Sequence, residues 1–333
     1  MIETIYIEDH LQVHPRATRL LERFPGARVV PCENYTEVFN PAAQSFDLQK
    51  QNPALILAQK KGNLVLPAPN GFGISNGPNF YFSHMLNCLY DCRYCFLQGM
   101  FRSAHYVLFV NFEDFEAEID NTISNRHEQT AYFLSGYDCD SLALESVTGF
   151  VEHFVPFFAK RPNAFLELRT KSIAIDGLLS MPPVPNVVVA FSFTPEETTV
   201  AVEHGCPGIR DRVNAAGELA NAGWPIGIRL DPLLWYKDWR AGYDSLIDKL
   251  VTAIPSGALH SASLGPLRFP SNMFQKIEQM YPRDELLNGP LIRRNKFVSY
   301  SESREAQLLS FVEQRLVNAF PEANLFSCDL GAT

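Results

Sequence analysis

Residues 79–98 read NFYFSHMLNCLYDCRYCFLQ: an apolar, strand-like run over 79–84, then three cysteines, Cys88, Cys92 and Cys95. The spacing is C-x3-C-x2-C, and an aromatic residue, Tyr94, precedes the third thiol. Thiolates are the normal ligands of iron–sulfur clusters. Three of them leave one iron of a [4Fe–4S] cluster without a protein ligand, free to take a chelating co-substrate. The competing reading is a structural Cys3His zinc site that recruits His84, four positions before Cys88. Zinc cysteines more often come in pairs, and a histidine on an apolar strand is more often packed than ligating.

Outward from this motif, strand-like runs alternate with helical periodicity. Strands are expected over 79–84, 131–135, 165–169, 187–193, 226–230 and 261–265, and helices over 112–123, 146–158, 208–222, 241–253 and 272–281. Such alternation implies parallel strands joined by right-handed crossovers. Six units are too few for an eight-fold barrel, so the expected fold is α/β, a partial, open (β/α)6 TIM-type barrel. Ahead of it, residues 1–75 read as a small α/β module, with strands over 5–8, 27–31 and 54–59 and a helix over 15–24. The turn-rich stretch 67–78 is the expected linker. The barrel then covers 76–281, and 282–333 forms a basic segment ending in a helix over 302–318.

Composition narrows the class. A net charge of −9 over 333 residues argues against a generally cationic nucleic-acid binder but leaves room for a local basic groove. No apolar run reaches the roughly 18 residues a membrane span needs, and the first residues lack a secretory leader pattern. Seven cysteines, three of them within eight positions, do not make a disulfide framework, so a reducing, cytoplasmic setting is expected.

The motif and its surroundings resemble the radical S-adenosylmethionine superfamily and, within it, the spore photoproduct lyase family. The resemblance runs over Cys88–Gln98, Arg169-Thr170-Lys171, Phe191-Ser192, residues 207–216 (PGIRDRVNAA), residues 222–227 (AGWPIG) and residues 239–243 (WRAGY). It implies a [4Fe–4S] cluster on Cys88, Cys92 and Cys95, with S-adenosylmethionine across the strand tops. A 5′-deoxyadenosyl radical would then repair a thymine photoproduct-type lesion in DNA. The electron would come from a donor such as flavodoxin or ferredoxin. Lys171, Ser192, Ser135 and Gly136 fall where the family meets S-adenosylmethionine. Three departures stand out. The family's hydrogen-donor cysteine aligns with Tyr137, with Cys139 two residues on. The tyrosine expected after the third cluster cysteine is Phe96, although Tyr94 is retained. The family's DNA hairpin is rewritten as Gly289–Tyr300. These departures leave open a radical enzyme of the same fold acting on RNA, a peptide or a small metabolite.

The remaining candidates are secondary. Cys139 is the expected hydrogen donor, since thiols react fast with carbon radicals, and Tyr137 is the alternative. Cys206 sits in a turn and is expected to be structural; Cys32 and Cys328 are expected to be inert. The run 293–304 brings Arg293, Arg294, Lys296 and Arg304 together with Phe297 and Tyr300 against one acid, Glu302. Cations suit phosphates and aromatic faces suit extruded bases, so this is the candidate nucleic-acid surface. Lys237 and Arg268 would extend it.

Overall fold

A computed structural model describes residues 2–69, 72–75, 77–126 and 129–327. Cys328 and three residues of the expected linker, 70, 71 and 76, lie outside them. Six strands, Asn79–Tyr81, Ala131–Leu134, Ala164–Thr170, Val187–Ser192, Ile226–Leu233 and Leu259–Pro266, lie side by side in chain order, all parallel. Strand Asn324–Ser327 adds in parallel beyond the sixth, and Leu66–Pro67 pairs antiparallel outside the first. Among the described residues these two edges do not pair with each other, so the barrel is open.

Apolar runs become parallel strands here because both of their faces are covered. All six residues of Val187–Ser192 are buried. Helices Phe112–Ser124, Phe150–Ala159, Ile209–Asn221, Trp239–Ala253 and Ser271–Met280 form the outer layer. In Phe150–Ala159, the buried Phe150, Phe154 and Phe158 recur at i, i+4 and i+8, one face turned to the core. Each such side chain contributes roughly 1.5–3 kcal/mol by leaving water. The single helix expected over 146–158 is in fact two, Glu145–Thr148 and Phe150–Ala159. Gly149 between them has φ 62°, a conformation that ends a helix and suits a residue without Cβ.

The N-terminal sheet runs in the order Arg28–Cys32, Thr4–Glu8, Leu55–Ala58, Tyr106–Phe109, Met85–Leu86. The first four strands are parallel and the last is antiparallel. Two of its strands thus come from beyond residue 75, one on each side of the cysteine loop. All four residues of Tyr106–Phe109 are buried. The loop therefore leaves and re-enters a rigid sheet and sits where that sheet meets the barrel.

At the other end, Arg268–Pro270, Phe297–Ser299 and Ile292–Arg294 make a small antiparallel sheet, with Asn295 turning the hairpin at φ 51°. Helix Glu302–Ala319 buries Leu308, Val312 and Leu316 against Trp239–Ala253 and the sixth barrel strand. Among the described residues no helix is long and apolar enough to cross a membrane.

Candidate active site

The carboxyl ends of the parallel strands surround one cavity with about 950 Å³ of open space, its mouth included. Cys88, Cys92, Cys95, Tyr94, Phe96, Gly136, Tyr137, Cys139, Lys171 and Ser192 all line it. This is the end at which parallel α/β folds place their sites, because the loops leaving the strands converge there. Cys88 and Cys95 also line a second cavity on the side of the N-terminal sheet, together with Phe46 and Lys50.

The cysteine loop is held from several directions. Its two-residue strand Asp91–Cys92 pairs antiparallel with Glu203–His204, and the Arg93 amide donates to the Val202 carbonyl at 2.8 Å. The Glu203 side chain, fully buried, accepts from the Tyr94 phenol and from the equally buried Arg212 guanidinium. Arg212 also donates to the Ser192 carbonyl at 2.8 Å, so one buried network runs from the loop to the fourth barrel strand. Asp91 binds Lys50, Arg93 Nη1 at 2.7 Å and Gln98 Nε2 at 2.8 Å. Burial opposes ionisation of Asp91, but its bonds to Lys50 and Arg93 win and hold its carboxyl below the ordinary range.

The donor set fits an iron–sulfur cluster. All three thiols are free, and the Tyr90 amide donates to Cys88 Sγ at 3.4 Å, as amides do to cluster thiolates. Among the described residues no three histidine, cysteine or acidic side chains gather around a single-ion position. Cys88, Cys92 and Cys95 line one cavity, and thiolates are the ligands that a [4Fe–4S] cluster would take there. Burial pushes the Cys88 thiol well up and the Cys95 thiol up to about 11, so metal binding must displace protons. Cys92 goes the other way. Its contact with Cys206 favours the thiolate, burial opposes this, and Lys171 and Arg212 add favourable charge. His84 takes no part: it is 1% exposed and stacks on Phe150 with ring centroids 4.0 Å apart.

Lys171 Nζ lies 5.3 Å from the Tyr94 ring centroid. Its backbone amide donates to Asp140 at 2.6 Å, and the same carboxylate accepts from Thr170 Oγ1 at 2.6 Å and the Leu142 amide at 3.0 Å. Asp140 thereby ties the loop after the second strand to the loop after the third. Gly136 passes so close to the third strand that a Cβ there would lie 2.8 Å from the Arg169 carbonyl oxygen. Ser135 is turned elsewhere: its hydroxyl donates to the Glu167 carbonyl at 2.9 Å and meets Ser141 Oγ at 2.8 Å.

Tyr137 stands at the cavity mouth among Tyr81, Phe96 and Phe72, at centroid distances of 4.4, 5.7 and 5.9 Å. Burial, then the neighbouring Tyr81 and Asp138, push its phenol up to about 12. Cys139 is 5% exposed, and its thiol points to the Ser135 carbonyl at 3.7 Å. Burial likewise raises its pKa. Both X–H bonds are therefore intact at neutral pH.

The basic segment divides. Arg293 and Lys296 are exposed on the hairpin, whereas Arg294 is paired with Glu305 and, at 3.5 Å, with Glu302. Phe297 is half-buried. Tyr300, expected as a stacking face, is 1% exposed, and its hydroxyl accepts from the Trp235 amide at 2.9 Å. The expectation fails because the chain turns inward at Val298. Arg268 lines the cavity, its guanidinium 5.6 Å from the Phe72 ring centroid. The sequence reading missed Asp140, Glu203 and Arg212. Arg212 falls within the recognisable 207–216 segment, but a lone buried glutamate carries no local signal.

An open barrel of parallel strands with three thiols at its carboxyl end defines a radical S-adenosylmethionine enzyme, which works with a [4Fe–4S] cluster. The family model for spore photoproduct lyase matches residues 78–327, and the chain belongs to that family. The spore photoproduct lyase of Bacillus subtilis (strain 168) is 23% identical over 338 residues, covering 97% of each chain. That of a Geobacillus species is 25% identical over 216 residues, covering 64% of this chain and 63% of that one. A solved spore photoproduct lyase mutant with bound AdoMet and dinucleoside spore photoproduct superposes with a TM-score of 0.85 at 18% identity, covering 98% of both chains. Another, complexed with dinucleoside spore photoproduct, gives 0.84 at 19% identity over 98% of this chain and 99% of the other.

Proposed function

We propose that this chain reverses a thymine photoproduct-type crosslink in DNA by radical chemistry begun in the cysteine-lined cavity. The observation that carries this reading is that one cavity joins Cys88, Cys92 and Cys95 to Lys171, Ser192 and Tyr137. The dinucleoside photoproduct in the solved relatives supports a substrate of that kind. When bound, the [4Fe–4S] cluster and S-adenosylmethionine supply a 5′-deoxyadenosyl radical.

The chain's own residues do the rest. Cys88, Cys92 and Cys95 hold the cluster. The Lys171 ammonium and the Ser192 hydroxyl bind polar groups of S-adenosylmethionine, and Gly136 lets its strand end pass close beneath. Ser135 positions this wall without facing the cavity, and Asp140, which lines it, ties the two loops of the wall together. Tyr94 packs against Lys171 and keeps its phenol on Glu203, so it orients the loop. Hydrogen return falls to Tyr137, half-buried on the cavity, in preference to Cys139, which is more deeply buried and whose thiol is turned to a backbone carbonyl. A flavodoxin- or ferredoxin-type carrier supplies the electron, and Arg293 and Lys296 meet DNA phosphates while Phe297 offers a face to an extruded base.

The test is anaerobic incubation with reductant, S-adenosylmethionine and UV-irradiated DNA, followed by mass analysis of the nucleosides. Restored thymidine supports the reading. Cleavage of S-adenosylmethionine with the lesion untouched would transfer the chemistry to another substrate. With active protein, Tyr137→Phe should divert product to adducts while leaving radical formation intact. The same diversion in Cys139→Ala alone would move the donor role to the thiol.

A further inference from the structure

The Cys206 thiol plays no part in the reading above, yet its Sγ lies 3.6 Å from that of Cys92. Two features hold it there. The register of Asp91–Cys92 against Glu203–His204 sets Cys92 opposite Glu203. Gly205, at φ 75°, then turns the chain so that the Cys206 amide faces the Glu203 carbonyl at 3.4 Å. Cys206 is half-buried and Cys92 is buried, so an oxidant reaches Cys206 first.

We propose that Cys92 and Cys206 form a reversible disulfide in the cluster-free protein, a modification site that stores one cluster ligand in protected form. The proposal rests on the cluster reading for its consequence only; the crosslink itself does not need a cluster. With a peroxide as oxidant, the Cys206 sulfur attacks the O–O bond, giving a sulfenic acid and one water. The Cys92 sulfur then attacks that sulfenic sulfur, and a second water leaves. Two thiols and one hydrogen peroxide become one disulfide and two waters, each sulfur losing one electron and the peroxide gaining two. From the 3.6 Å contact the sulfurs need to approach by only about 1.5 Å to reach bonding distance. Exchange with a small thiol reductant restores both thiols, and with them the third ligand.

The test uses the full-length cluster-free protein, one equivalent of hydrogen peroxide, alkylation of free thiols, digestion and tandem mass spectrometry. The expected main crosslink is Cys92–Cys206, erased by thiol reductant. Iron uptake should then return to the level of untreated protein. In C206S a larger dose, roughly four equivalents, should carry Cys92 on to the sulfinic acid, whereas the wild type at that dose should keep it as the disulfide. Iron uptake after reduction should then fall about two-fold or more below the untreated variant, because sulfinic acids are not recovered by thiols. Crosslinks that bypass Cys206, or full recovery of C206S, would overturn the proposal. The wild-type crosslink map decides even if the variant folds poorly.

Discussion

The cysteine loop and the hairpin formed by Ile292–Arg294 and Phe297–Ser299 both carry candidate functional residues, yet they are built in opposite ways. The loop leaves and re-enters the N-terminal sheet, and its charged partners Glu203 and Arg212 are entirely out of water. The hairpin presents Arg293 and Lys296 to solvent and keeps Arg294 on its own glutamates. The difference follows from the tasks. A cluster needs ligands at set positions, which burial and hydrogen bonding supply. Phosphate attraction works through charge at modest range and tolerates mobile side chains.

The largest effect should come from the loop. Cys88→Ala, Cys92→Ala or Cys95→Ala should each abolish the brown chromophore and the reductive cleavage of S-adenosylmethionine to 5′-deoxyadenosine, because each removes a thiolate that an open-site cluster cannot replace. A triple alanine variant that still assembled a redox-active cluster would remove the basis of the comparison. Next in size is Glu203→Ala. It leaves the buried Arg212 without its partner, a loss of about 3–5 kcal/mol when one member of a buried pair is removed. Denaturant unfolding should show that loss, and iron content should fall with it. Unchanged stability would mean that the loop does not depend on this network.

The two regions also differ in how legible they were. The cysteines announce themselves by spacing, and the barrel strands by apolar runs such as Val187–Ser192, which parallel packing requires to be buried throughout. Strand Tyr106–Phe109 is just as apolar, but it belongs to the sheet of the N-terminal module, and no local signal says that a chain will return across the loop to join it. The partners of the loop were hidden for a similar reason. Glu203–His204 is a two-residue strand pairing with residues more than a hundred positions earlier, too short for any periodicity to register. In the hairpin the cations were visible, but the acids that neutralise Arg294, Glu302 and Glu305, lie on the next helix. Only the fold brings them face to face.

A smaller effect separates His84 from the thiols that follow it. Its imidazole is buried, and desolvation lowers it from about 6.5 to about 3. Between those values the unfolded chain binds a proton that the folded chain refuses. Its contribution to stability is therefore full above pH 6.5 and is lost progressively as pH falls towards 3. His84→Phe should flatten the thermal midpoint against pH across that window and leave iron content unchanged. Iron loss in this variant would restore the histidine as a ligand.

The smallest expected effect belongs to the hairpin, and it tests whether exposed charge there has a partner at all. With Arg294 held by two glutamates, two cations, Arg293 and Lys296, remain exposed for phosphates. Each phosphate contact contributes roughly 0.7 to 0.9 to the slope of log K against log salt, so the pair should contribute about 1.4 to 1.8. Arg293→Gln with Lys296→Gln should flatten the slope by that amount in an anaerobic titration of DNA. Arg294→Gln alone should barely change it, because that guanidinium would have to leave Glu305 before it could meet a phosphate. Neither variant touches the cavity, so cleavage of S-adenosylmethionine without DNA should be unchanged in both. If the double variant kept the full slope, the hairpin cations would be merely solvated, and DNA would have to meet the protein at the cavity rim, where Arg268 stands over Phe72. If Arg294→Gln flattened the slope as much as the double variant, the pairing with Glu302 and Glu305 would open on binding. The hairpin would then resemble the loop more closely than its exposure suggests, since a residue held internally would also be doing the recognition.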